Sequence, residues 1–70
     1  MYITLSRKPS KEEIVTFNMK VSEEDAVVDY RIELDSLSQA TKEALCECYN
    51  LNPERIASAT KVTFSYSNEI

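Results

Sequence analysis

Seventy residues, 43% of them hydrophobic, with twelve acids against eight bases and a formal net charge of −4, describe one small acidic domain around a single core. The chain has no histidine, no glycine and only two cysteines. That excludes the commonest metal ligand and general base, a Gly-rich phosphate loop or dinucleotide fingerprint, and a disulfide framework.

A core of this size supplies about 3–5 kcal/mol of net stability, so a partner chain, a homodimer included, is an expected supplement. No apolar run reaches the ~18 residues of a membrane span. The first residues, "MYITLSRKPS", alternate polar with apolar and do not form a signal-peptide core. The expectation is a cytoplasmic protein with no membrane contact and no cofactor.

In chain order, "YITLS" reads as a short first strand with Ile3 and Leu5 inward, followed by the basic loop "RKPSK". Residues 14–21, "IVTFNMKV", alternate as a strand would, with Val15, Phe17, Met19 and Val21 on one face. Residues 28–34 repeat the pattern with Val28, Tyr30, Ile32 and Leu34. An antiparallel pairing that sets Val21 against Val28 matches apolar with apolar along both strands and sets Lys20 against Asp29. The hairpin loop is centred on Glu24 and Asp25. A two-residue turn needs positive φ, which Glu disfavours, so a longer type I loop across Ser22 to Val27 is expected.

The stretch "SLSQATKEALCECYN" carries Leu37, Ala40, Thr41, Ala44, Leu45 and Cys48 at helical spacing. Ser36 with Gln39 makes a capping box and Asn50 a left-handed stop, which predicts a helix over 37–49. "NPER" then opens a short second helix near 53–58, with Ile56 inward. "KVTFSYS" is a last strand with Val62, Phe64 and Tyr66 inward; an edge position in the sheet would leave it open to pairing with another sheet. The predicted fold is a two-layer α+β sandwich over residues 1–70, in the order β-β-β-α-β. Its four-stranded, mostly antiparallel sheet is covered on one face by the main helix.

The constellations that could carry chemistry resolve mainly into structure. At ~100° per residue, Cys46 and Cys48 point about 160° apart, Cys48 into the predicted stripe and Cys46 outward, so they neither bridge nor share an ion. "SEEDAV" lacks the alternating Asp or Asn and the glycine of an EF-hand loop. A sheet with one helix leaves no cleft for a pair of catalytic carboxylates. The serines have neither a base nor a glycine elbow near them. No catalytic, metal or cofactor residue is assigned, and no enzyme activity is expected.

What remains is surface. The acidic residues Glu23, Glu24, Asp25, Asp29 and Glu33 gather around the hairpin, and "RKPSK" carries Arg7, Lys8 and Lys11 on the preceding loop. In a meander those loops occupy opposite ends, which predicts a molecule with a basic end and an acidic end. On the outer sheet face the expected register leaves Tyr2 and Ile14 uncovered, rimmed by Thr4, Thr16, Arg31 and Thr63, a mixed patch suited to an interface.

By size, acidity and lack of catalytic groups, the chain resembles the small inhibitor and adaptor proteins that bacteria and phages direct at one larger target, anti-CRISPR proteins among them. The resemblance is one of class and rests on no motif. It implies a noncatalytic protein-binding module acting on a larger protein or complex, with carboxylates standing in for phosphates as one route. The alternative is a structural homo-oligomer joined through an edge strand. A third reading, weak nucleic-acid binding through residues 7–11, has only three charges and no adjacent aromatic platform behind it, so direct nucleic-acid binding is not expected.

Overall fold

The computed structural model describes residues 1–68. It has the predicted α+β class: a four-stranded sheet, β1 (Tyr2–Thr4), β2 (Lys20–Glu24), β3 (Val27–Glu33) and β4 (Lys61–Ser67), covered on one face by α1 (Lys11–Thr16), α2 (Gln39–Tyr49) and α3 (Pro53–Ser58). The strand order is β1-β4-β3-β2, with β1 parallel to β4 and the other pairs antiparallel. The chain order is therefore β-α-β-β-α-α-β.

The largest departure from the sequence expectation lies at residues 11–19, where a short helix replaces most of the second strand. Ser10 Oγ accepts from the Glu13 amide at 3.1 Å, and Glu13 Oε1 accepts from the Ser10 amide at 2.8 Å, a complete capping box. At the other end Asn18 is left-handed at φ 52°. The Asn18 amide donates to Val15 O at 3.2 Å and the Met19 amide to Ile14 O at 2.9 Å, which is the paired closure of a Schellman stop. Two caps outweigh a period-2 pattern only a few residues long. Phe17 and Met19 still reach the core, whereas Val15 is 79% exposed and Val21 53% exposed.

The β2–β3 hairpin turns on two residues, Asp25 and Ala26, with Asp25 at φ 56°. Aspartate tolerates that conformation, so the longer loop is not needed. The tighter turn moves the register by two residues: Val21 faces Tyr30, Glu23 faces Val28, and Lys20 faces Arg31 rather than Asp29. A shift of two keeps each strand's faces, so Val28, Tyr30 and Ile32 remain buried, as does Leu34 in the single 3-10 turn Leu34–Ser36.

On α2 the cap is Ser38, whose Oγ accepts from the Thr41 amide at 3.2 Å, while Ser36 donates its hydroxyl to Glu33 O. Leu45 and Cys46 are the buried residues of α2, flanked by half-buried Thr41, Lys42 and Tyr49, while Ala40 and Ala44 are exposed. The cysteines are thus exchanged relative to expectation: Cys46 is buried and Cys48 exposed. Tyr49 determines this rotation, stacking on Phe64 at 4.7 Å and meeting Phe17 edge-on at 6.5 Å, which buries far more apolar surface than alanines would. The left-handed stop at Asn50 (φ 53°) and the Asn52-capped helix carrying buried Ile56 stand as predicted.

Strand β4 is an interior strand, not an edge. Val62 and Phe64 are buried and Tyr66 half-buried, as expected. Among the described residues, the open edges belong to β1 and β2. Because β1, β4 and β2 run in one sense, the "RKPSK" loop leaves β1 at the same end of the sheet as the acidic turn, on the opposite edge. The expected separation into basic and acidic ends does not occur. Among the described residues, no helix is long and apolar enough to cross a membrane.

Candidate functional site: the uncovered sheet face

Among the described residues, the three helices pack on one side, so the other face of the sheet is open. Its residues follow from the register as rows across the strands. Lys61 and Glu33 form the first; Tyr2, Thr63, Arg31 and Lys20 the second; Thr4, Ser65, Asp29 and Ser22 the third; Ser67, Val27 and Glu24 the fourth. Aromatic, hydroxyl and charged groups of both signs are interleaved on this face.

One contact organises it. The Tyr2 hydroxyl donates to Asp29 Oδ1 at 3.1 Å, reaching from β1 across β4 to β3. Tyr2 begins in the row of Thr63 and ends in the row of Ser65, so its ring leans diagonally over the middle strand. This accounts for an oddity of the uncovered side: Ser65 is only 9% exposed although no helix lies above it. Tyr2 itself is 64% exposed and offers its ring to solvent.

The structure gathers Tyr2, Asp29, Arg31, Glu33 and Glu24 of the sequence-predicted residues on this face, with Asp25 in the turn beside it. Two are elsewhere. Glu23 lies on the helix-layer side of β2, opposite Val28, where its charge adds to burial in raising the Tyr30 pKa above the ordinary tyrosine value. Ile14, with Thr16, is on α1, and Ile14 packs against the core. Lys20 is an addition to the site: alternation already sets it on the outer face, and the two-residue turn at Asp25-Ala26 places it beside Arg31 rather than Asp29.

The basic loop is tied down on the helix side. Arg7 forms a two-pronged ion pair with Glu13, at 2.9 and 3.0 Å, and its guanidinium sits 5.0 Å from the centroid of the Tyr49 ring. Arg7 and then the Ser10 amide hold the Glu13 carboxyl well below the usual carboxylate range. Burial, and next the Glu13 charge, push Tyr49 up to about 12. The Tyr49 hydroxyl is buried with no hydrogen-bond partner among the described residues. With Arg7 committed to Glu13 and Tyr49, Lys8 and Lys11 are what the loop leaves for any phosphate. Among the described residues, no group of three acids or cysteines is placed to hold a metal ion.

Comparison with family models, with curated proteins and with solved structures found no match to this chain.

Proposed function

We propose that this chain is a noncatalytic protein-binding module whose recognition surface is the uncovered sheet face, anchored by the Tyr2 ring that leans from β1 over β4, with Asp29 and Arg31 on β3 beside it and Glu24 on the far edge strand. The observation that carries the reading is the Tyr2–Asp29 bond, which holds an exposed aromatic ring in one place on a broad mixed face. Exposed aromatics immobilised before binding lose little entropy on contact and are typical interface anchors. Interleaved charge favours a protein partner over a polyanion, which would meet Asp29 and Glu24 as readily as Arg31 and Lys20. The same interleaving favours direct docking over an array of carboxylates imitating phosphates. The action that follows is that of a small inhibitor or adaptor occupying a surface of a larger protein.

The test is capture of a partner from nuclease-treated lysate by the tagged protein, followed by binding titrations with Tyr2→Ala, Asp29→Lys and Arg31→Glu. All three sites are solvent-facing, so circular dichroism should show a retained fold. A partner whose affinity falls about tenfold or more with Tyr2→Ala supports the reading. A partner bound equally well by all three variants overturns this face as the recognition surface.

A further inference from the structure

Strand β2 is an open edge, and its sequence is self-complementary in one register. Its five residues are all exposed, with Lys20, Ser22 and Glu24 on the uncovered face and Val21 and Glu23 on the other. Lys20 stands directly across from Arg31, a like-charge pair, and neither Lys20 nor Glu24 has an ion-pair partner among the described residues.

The backbone settles which groups point outward. The Asn68 amide donates to Ala26 O at 2.7 Å and the Leu34 amide to Thr60 O at 2.9 Å, so the even-numbered residues along β3 turn their amide groups toward β4. The odd-numbered residues, Val27, Asp29 and Arg31, therefore turn theirs toward β2 and engage Glu24, Ser22 and Lys20. That leaves the N–H and C=O groups of Val21 and Glu23 directed at the open edge.

We propose that two copies of this chain pair antiparallel through β2 about a two-fold axis at Ser22, with Lys20 of each copy opposite Glu24 of the other. In this register Val21 of one copy lies opposite Glu23 of the second, so the outward backbone groups bond reciprocally. Registers one residue to either side would set an outward backbone group against an inward one. Moving the axis to Val21 sets Lys20 against Ser22, and moving it to Glu23 stacks Glu23 on Glu23. The Ser22 register alone brings opposite charges together, and it supplies Lys20 with the acid that Arg31 does not. The two sheets join edge to edge and the two uncovered faces become continuous. This assembly does not depend on the protein-binding role of that face, since a chain with no other partner would pair in the same way.

Sedimentation velocity over a low-to-high micromolar series tests it with the full chain, Lys20→Glu, Glu24→Lys and an equimolar mixture of the two variants. The wild type should show a concentration-dependent dimer. Each single variant, placing like charges across the axis twice, should weaken self-association by about tenfold or more. In the mixture, Glu at 20 faces Lys at 24 and Glu at 24 faces Lys at 20, so a heterodimer of near wild-type strength should return. Glu23→Pro removes an edge N–H that the chain does not use internally, and should weaken the wild-type dimer without unfolding the monomer. A wild type that stays monomeric throughout, single variants that dimerise as the wild type does, or a mixture that stays monomeric would each overturn the proposal.

Discussion

The Tyr2 hydroxyl meets Asp29 Oδ1 at 3.1 Å across an intervening strand, and this one bond couples the first residues of the chain to the centre of the sheet. Tyr2→Phe keeps the ring and removes the tether. An exposed hydrogen bond to a carboxylate contributes about 1 kcal/mol or less net, so the melting temperature should move by only a few degrees. The expected signature is in solution dynamics: the Ser65 amide and the residue 2 ring should become more mobile by NMR relaxation, with the sheet otherwise intact. Unchanged relaxation at both sites would mean that the bond does not organise the face.

The sequence displays the core strands, the end of α2 and the short helix α3 clearly, because long apolar alternation at 28–34 and 61–67 and the caps at Asn50 and Asn52 point the same way at each position. It misleads at 10–19. There "IVTFNMKV" has strand periodicity while Ser10-Lys11-Glu12-Glu13 carries the capping-box signature and Asn18 the stop, and the caps prevail. The candidate face was partly legible, since Tyr2, Asp29, Arg31 and Glu33 follow from alternation alone. Alternation also sets Lys20 on this face, but its neighbour Arg31 and the place of Glu23 in β2 depend on the register, which the turn fixes, and in a glycine-free chain the positive-φ turn residue is an aspartate. Strand order is a tertiary property that pairwise alternation does not encode, which is why β4 could be read as an edge.

The Arg7–Glu13 pair makes a prediction about acid stability. The folded-state pKa of Glu13 lies below its unfolded value of ~4.3, so its contribution is fully present above that pH and is lost as pH falls through the folded value. Glu13→Gln keeps one oxygen to accept from the Ser10 amide but loses the negative charge and the second oxygen of the two-pronged ion pair with Arg7. At pH 7 it should cost about 1 kcal/mol, discounted for the half-exposed arginine, and the difference from wild type should shrink progressively below about pH 4. Urea titrations at pH 7 and at pH 2–3 check this, and a difference that stays constant would show that the charge of Glu13 is not what stabilises the loop.

The cysteine positions can be read by thiol chemistry. Cys48 is exposed and Cys46 is buried, so a maleimide should add once to the native protein, at Cys48, and twice only after unfolding. Labelling of Cys48 should itself be slower than that of an unstructured thiol at neutral pH, because partial burial and then the neighbouring Glu13 carboxylate raise its pKa and deplete the thiolate. Peptide mapping that places the first label on Cys46 would contradict the rotation assigned to α2 and with it the Tyr49–Phe64 stack.

Asn18 is the residue on which the unexpected helix depends. It holds φ at 52° and, with the Met19 amide bonded to Ile14 O, turns the chain from α1 into β2. Glycine adopts that conformation without a Cβ penalty, so Asn18→Gly should be neutral or stabilising by up to about 1 kcal/mol. A β-branched residue suffers the full steric cost of the left-handed region, and Asn18→Val should destabilise by about 1–2 kcal/mol. If residues 14–21 formed a continuous strand instead, the order would reverse: valine would be favoured and glycine would weaken the sheet. Chemical denaturation of the two variants therefore separates helix from strand at this segment by the sign of their difference alone.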